Sequence, residues 1–239
     1  MIGKNQQQVS SQQGKIMNEN ILTVIDVAFN NNIKKLSKVS YDKLIDIQYG
    51  YYTQEGPYKN FLTINLKPSH GKGDWKVNFN FLSANQTDGH GKVVGKVHRG
   101  YKKEIDKYWK KIEQDIRTIL KENKFIKNKF IVSGRSKGAG EALLLIPYLQ
   151  ELGTVVLCGS LEPPKVCDKN YARYLKNNFN TLIYEFSYKN DIVTGIPPWF
   201  EHVIKPLQIG KRFLGLSFKD HIYSTTHERV YYDEFRREG

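Results

Sequence analysis

The chain has 239 residues, with 37 Lys and Arg against 24 Asp and Glu, a formal charge of +13 and 39% hydrophobic residues. That apolar content, with 15 Tyr, 12 Phe and 3 Trp spread along the length, excludes a wholly disordered chain and predicts one domain over residues 16–239. Two Cys, at 158 and 167, are too few for a disulfide scaffold, and no stretch reaches the roughly 18–20 apolar residues of a membrane span.

Residues 1–15 are Gln-rich, without the apolar core of a standard signal peptide, and read as a flexible tail. With the cysteine usage, this places the protein in the cytoplasm or among proteins delivered without such a signal. MNENILTVIDVAFN, residues 17–30, sets Ile21, Val24, Ile25 and Ala28 at helical spacing, and a second short helix is predicted over 41–49. KNFLTINL alternates toward strand. DWKVNFNF puts Trp75, Val77, Phe79 and Phe81 on one face against Lys76, Asn78 and Asn80, the pattern of a half-buried strand. SANQTDGHGKVVGK then reads as a polar loop with almost no apolar face.

A long amphipathic helix follows: in YKKEIDKYWKKIEQDIRTILKE, Tyr101, Ile105, Tyr108, Ile112, Ile116 and Ile119 recur at steps of three and four. From Lys96 to Lys129 there are 12 basic and 5 acidic residues, a net of +7, so this stretch carries over half the excess charge. It is either a solvated helix surface or an attraction to an anionic partner.

From Lys129 the order is KFIVSG, KGAGEALLLIPYLQEL, TVVLCG, NYARYLKNN and TLIYEFS. Apolar runs alternating with helices imply an α/β fold, a mostly parallel sheet with helices on both faces and functional residues beyond the strand C-termini. The first of these strands runs into Gly134-Arg135-Ser136-Lys137-Gly138 and the next helix. In that context a G-x-S-x-G turn lifts a serine hydroxyl above the sheet, beside a helix N-terminus that stabilises developing negative charge. A serine needs a base, and the base an orienting acid, in the chain order Ser, acid, His. Asp191 lies just past the Ile183–Phe186 strand and is the leading acid, ahead of Asp168. His221 is the leading base, with His202 and His227 as alternatives.

These motifs together resemble the class 3 lipase family of α/β-hydrolases. GRSKGAG stands where family members carry G-H-S-[LM]-G-G-A, so the resemblance makes Ser136 the nucleophile, with Arg135 and Lys137 in place of the usual His and Leu. DIVTGIPP resembles the family's D-[IV]-V-P-x-[LI]-P-P, VHRGY its V-H-x-G-[FY], GSLEPPKV more loosely its G-S-P-R-V-G, and DHIYS its terminal His before an aromatic residue. LKPSHGKGDW resembles the F-R-G-[TS] element that precedes a D-W pair, which implies Ser69 and the Lys137 backbone N–H as the oxyanion hole.

The resulting expectation is a serine esterase acting on lipid or phospholipid esters by a Ser136–His221–Asp191 triad, with no metal or cofactor. Charge adds peripheral contact with an anionic membrane surface, and Arg135 and Lys137 favour an anionic substrate or transition state if either turns toward the pocket. Trp199, Phe200, Phe213 and Leu216 are expected to wall the acyl site. The alternative is a catalytically degenerate hydrolase-fold protein binding an anionic partner such as nucleic acid, but the sequence has no DNA- or RNA-reading motif.

Overall fold

A computed structural model describes residues 2–68, 82–211 and 215–236, with side chains from Gln13 to Phe235. The chain starts as a helix, α1 (Ile2–Phe29), well before Met17 and where a tail is expected. Glutamine is a good helix former, so the polar half continues the turns without an apolar stripe of its own. The second half carries that stripe: Ile21, Val24, Ile25 and Ala28 are fully buried.

A hairpin, β1 (Ile33–Tyr41) and β2 (Ile45–Tyr52), replaces the second helix expected over 41–49. Asp42 and Lys43 both have positive φ, 52° and 59°, and the Leu44 N–H donates to the Tyr41 carbonyl at 2.9 Å. Tyr41 pairs with Ile45 across this turn, so three residues, Asp42, Lys43 and Leu44, make it. Ile45, Ile47 and Tyr49 are then buried on one face at the strand period.

β3 (Phe61–Leu66) forms as expected, whereas the strand read in DWKVNFNF lies outside the described residues. The segment expected to be a polar loop is instead a small sheet, β4 (Ser83–Thr87) antiparallel to β5 (Val93–His98). Its turn is held by the Asp88 carboxylate, which accepts from the N–H groups of His90 and Lys92. β4 is polar and mostly exposed, so no apolar alternation marks it.

The basic helix is α2 (Arg99–Glu122), and all six of its predicted apolar positions are buried. Lys103, Lys107, Lys110 and Lys111 occupy its exposed face. The βα alternation follows as β6 (Lys127–Arg135), α3 (Lys137–Gln150), β7 (Thr154–Leu161), α4 (Lys169–Asn178), β8 (Leu182–Tyr188) and β9 (Leu207–Ile209), and then α5 (Phe218–Thr226) and α6 (Arg229–Arg236).

Among the described residues, seven strands make one sheet in the order β1-β2-β3-β6-β7-β8-β9, antiparallel from β1 to β3 and parallel from β3 to β9. Strand alternation divides the core in two. Leu62, Ile64, Phe130, Val132 and Cys158 pack under α2, α3 and α4, whereas Ile131, Leu157 and Leu161 pack under α1 and α6. Gly159 allows α1 to lie directly on the sheet: a Cβ there would stand 2.4 Å from that of Val24. Beside it the Ser133 hydroxyl donates to the Val24 carbonyl at 3.0 Å. Cys158 and Cys167 are free and buried, and burial pushes both thiols up, so they pack rather than react.

Candidate active site

Between β6 and α3 the chain reverses at Ser136, whose φ of 54° and ψ of −124° are costly for a residue with a Cβ. The flanking glycines make the turn possible. A Cβ on Gly134 would lie 2.3 Å from the Gly138 carbonyl oxygen, and one on Gly138 would lie 2.5 Å from that of Leu66 on β3. Ser136 occupies the N-cap position of α3, yet its side chain makes no capping bond. Its Oγ instead lies 2.8 Å from His221 Nε2.

His221 Nδ1 lies 2.7 Å from Asp191 Oδ2, so the three side chains form one hydrogen-bonded line. Asp191 comes just past β8, and its Oδ1 accepts from the Val193 N–H at 2.7 Å. His221 is in the first turn of α5, which Ser217 caps by accepting from the Asp220 N–H. An isolated bridge pairs Asp191 with Ser217, and the Ser217 N–H donates to the Asn190 carbonyl at 2.8 Å. Acid and base are thus fixed to each other by backbone as well as by their side chains.

The alternative residues are occupied elsewhere. Asp168 caps α4, accepting from the Tyr171 N–H at 2.9 Å. His202 sits between the Glu185 carboxylate, 2.6 Å from Nδ1, and the Thr194 carbonyl, 2.8 Å from Nε2. His227 stacks on Tyr223 with ring centroids 4.2 Å apart, and its Nδ1 is 2.8 Å from Thr226 Oγ1. Of the oxyanion-hole pair, Lys137 opens α3, where helix N–H groups point outward, and Ser69 lies outside the described residues.

The two cations beside Ser136 are both held by neighbouring elements, Lys137 buried and Arg135 partly buried. Lys137 is 2% exposed, with Nζ 3.0 Å from Glu104 and 3.2 Å from Glu141, and it donates to the Leu44 carbonyl in the β1–β2 turn. A lysine at the start of a buried helix needs compensating acids, and α2 and α3 supply them. Burial first, and Glu104 next to it, push the Glu141 carboxyl up to about 8 against the opposing pull of Lys137. Arg135 donates to the Thr225 carbonyl near the end of α5, and its guanidinium lies 4.6 Å from the centre of the Phe29 ring. It braces the helix that carries His221 against the strand that carries Ser136.

The expected acyl wall is not assembled as read. Phe200 is buried, its ring 6.5 Å from that of His98, whereas Trp199 and Leu216 are 62% and 75% exposed and Phe213 lies outside the described residues. Leu216 joins Phe218, Ile222 and Tyr223 in an exposed apolar group flanking His221 in sequence. Sequence reasoning missed Glu162, which follows β7 with φ 54° and is fully buried, accepting from the Tyr188 N–H and the Tyr231 hydroxyl. The available signal was an acid at the end of an apolar strand, the same signal that singled out Asp191. Among the described residues no group of His, Cys, Asp and Glu is placed to hold a metal ion.

The class 3 lipase family matches residues 63–201, more than half of the chain. A triacylglycerol lipase from Penicillium expansum superposes with a TM-score of 0.61 at 11% identity, over 77% of this chain and 75% of that one. Lip2 lipase from Yarrowia lipolytica gives 0.57 at 16% identity, over 75% and 66%. The native propeptide complex of Rhizomucor miehei lipase gives 0.56 at 16% identity, over 79% and 64%. At these identities the likeness is one of fold, the α/β-hydrolase fold. A comparison with curated protein sequences gives no match. By the family match over residues 63–201, in the fold that such lipases share, the chain belongs to the class 3 lipase family of carboxylic ester hydrolases.

Proposed function

We propose that the protein is a serine esterase of lipid esters working through Ser136, His221 and Asp191. The observation that carries this reading is the unbroken line from Ser136 Oγ to His221 at 2.8 Å and from His221 to Asp191 at 2.7 Å. Ser136 attacks the ester carbonyl while His221 Nε2 takes its proton, and Asp191 keeps the imidazole in the tautomer that can accept it. The imidazolium then protonates the leaving alkoxide. Water, deprotonated by the same nitrogen, releases the acyl group from Ser136. The Lys137 N–H at the start of α3, with Ser69, holds the oxyanion, and the helix N-terminus adds its partial positive charge.

The substrate lipid carries an anionic head group or lies in an anionic surface. Supporting this, Lys165, Lys189 and Lys205 line a cleft of about 690 Å³ that also reaches Asp191 and Leu216. Leu216, which lines this cleft, is exposed, as are Phe218, Ile222 and Tyr223 of α5, the helix that carries His221. Near an anionic leaflet each lysine contributes about 1 kcal/mol, screened by salt.

A fluorophosphonate probe tests the nucleophile without knowledge of the substrate: labelling of the native protein and not of Ser136→Ala is expected. Labelling of both, or of neither, would overturn the triad. Vesicle sedimentation over a salt range tests the surface, with tighter, salt-sensitive binding expected for anionic lipid and weaker binding on neutralising Lys165, Lys189 and Lys205 together. Equal binding to zwitterionic and anionic vesicles would move the substrate to soluble esters.

A further inference from the structure

Lys137 stands directly after the nucleophile, in place of the family's usual Leu, and is buried. A charged group is costly to bury, so its contacts decide what it does there. Three elements converge on Nζ: Glu104 of α2 at 3.0 Å, Glu141 one turn further along α3 at 3.2 Å, and the Leu44 carbonyl of the turn between β1 and β2. Three acceptors match the three protons of an ammonium group. Glu104 and Glu141 are themselves buried, so little water competes for these contacts.

The backbone of the same residue opens α3. Just before it, the Ser136 carbonyl accepts from the N–H groups of Ala139 at 3.0 Å and Gly140 at 3.3 Å, which closes the first helical turn. N–H groups of a first turn point beyond the helix start, here the side of Ser136. Within the turn from Gly134 to Gly138 the two glycines contribute no side chain, Ser136 reaches His221, and Arg135 makes the tie to α5. Lys137 supplies the tie on the other side, to α2 and to the β1–β2 turn.

We propose that the Lys137 side chain is a positioning device of the active site: clamped by Glu104, Glu141 and the Leu44 carbonyl, it sets the place of its own backbone N–H in the oxyanion hole. The inference rests on the reading that this N–H holds the oxyanion, and assigns a role to the side chain behind it. Position matters because a donor serves a developing oxyanion only at about 2.7–3.1 Å. A leucine fills such a space by contact without direction, whereas three acceptors fix an ammonium group along three directions. The charge thus acts inward, through geometry, and not on the substrate. Leu44 lies outside residues 63–201, so the β1–β2 hairpin takes part in catalysis through this clamp although the family match does not reach it.

The test compares the native protein with Lys137→Met and Glu104→Gln on a matched pair of short-chain substrates, a p-nitrophenyl ester and its thionoester. Sulfur accepts hydrogen bonds more weakly than oxygen, so a misplaced oxyanion donor slows the ester more than the thionoester, whereas damage to the triad slows both alike. Lys137→Met is expected to lower kcat on the ester by about tenfold or more with little change in KM, and to lower kcat on the thionoester far less. Glu104→Gln, which removes one arm of the clamp and keeps its bulk, should shift the ratio of the two rates in the same direction by a smaller factor. That variant, together with Lys137→Met carrying both Glu104→Gln and Glu141→Gln so that no buried charge is stranded, decides the matter even if Lys137→Met alone fails to fold. Equal losses on ester and thionoester, or an unchanged kcat on the ester, would overturn the proposal. A native protein that accelerates the two substrates equally would instead remove the oxyanion reading beneath it.

Discussion

His221 and His202 each set Nδ1 against a buried carboxylate, 2.7 Å from Asp191 and 2.6 Å from Glu185. What separates them is the other ring nitrogen. In His221 it meets a hydroxyl that can give up a proton, and in His202 it meets the Thr194 carbonyl, which can only accept. Glu185 also accepts from the Ile204 N–H, so the second pair fastens both ends of the excursion that leaves the triad acid and returns toward β9. An acid partner orients an imidazole in either place. Only a nucleophile on the far side makes the pair a proton-transfer device.

The comparison breaks most sharply on activity. Ser136→Ala and His221→Ala should each lower turnover by roughly three orders of magnitude or more, measured on a short-chain ester, whereas His202→Ala should fall far short of that. The reverse ranking of the two histidines would exchange their roles. For His202→Ala the larger effect should be on folding. It leaves the Glu185 carboxylate buried without its partner, a loss on the order of 3 kcal/mol in denaturant unfolding. His202→Gln, which can still donate to Glu185, should lose less.

A third buried pairing sharpens the contrast, because the Lys137 cluster holds two acids with a lysine and no histidine. The Glu141 carboxyl, raised from 4.5 to about 8, binds a proton more tightly in the folded chain than in the unfolded one. Its contribution to stability is therefore fully present below about pH 4.5 and is lost as pH rises toward 8. Unfolding free energy measured between pH 5 and 9 should decline more steeply for the native protein than for Glu141→Gln. Equal slopes would mean that Lys137 holds Glu141 ionised throughout.

What the residue pattern discloses is uneven, for physical reasons. α2 announces itself because six buried positions recur over five turns, and the strand, GRSKG, helix passage does so because strained turns need glycine at fixed places. The β1–β2 hairpin hides because its turn is built from Asp42, Lys43 and Leu44 with neither Gly nor Asn. β4 hides because neither of its faces is strongly apolar. At the site, Ser136, Asp191 and His221 were legible from chain order and strand-end placement. Glu162, Arg135 and the acids around Lys137 were not, since each acts through a partner remote in sequence: Tyr231, Thr225 and Glu104 respectively.

The seat of α1 bears on any attempt to trim the protein. Neither the motifs nor the family match extends over its first sixty residues, which invites a minimal version that starts near residue 63. Such a fragment would lose β1 and β2 and strip the cover from Ile131, Leu157 and Leu161, the underside of the two strands that lead to Ser136 and Glu162. It would also leave Ser133 without its acceptor on Val24. In engineering terms α1 is a keel: the segment with no recognisable motif is inseparable from the hydrolase it carries, and a shortened form should be recovered as aggregate rather than as a smaller enzyme.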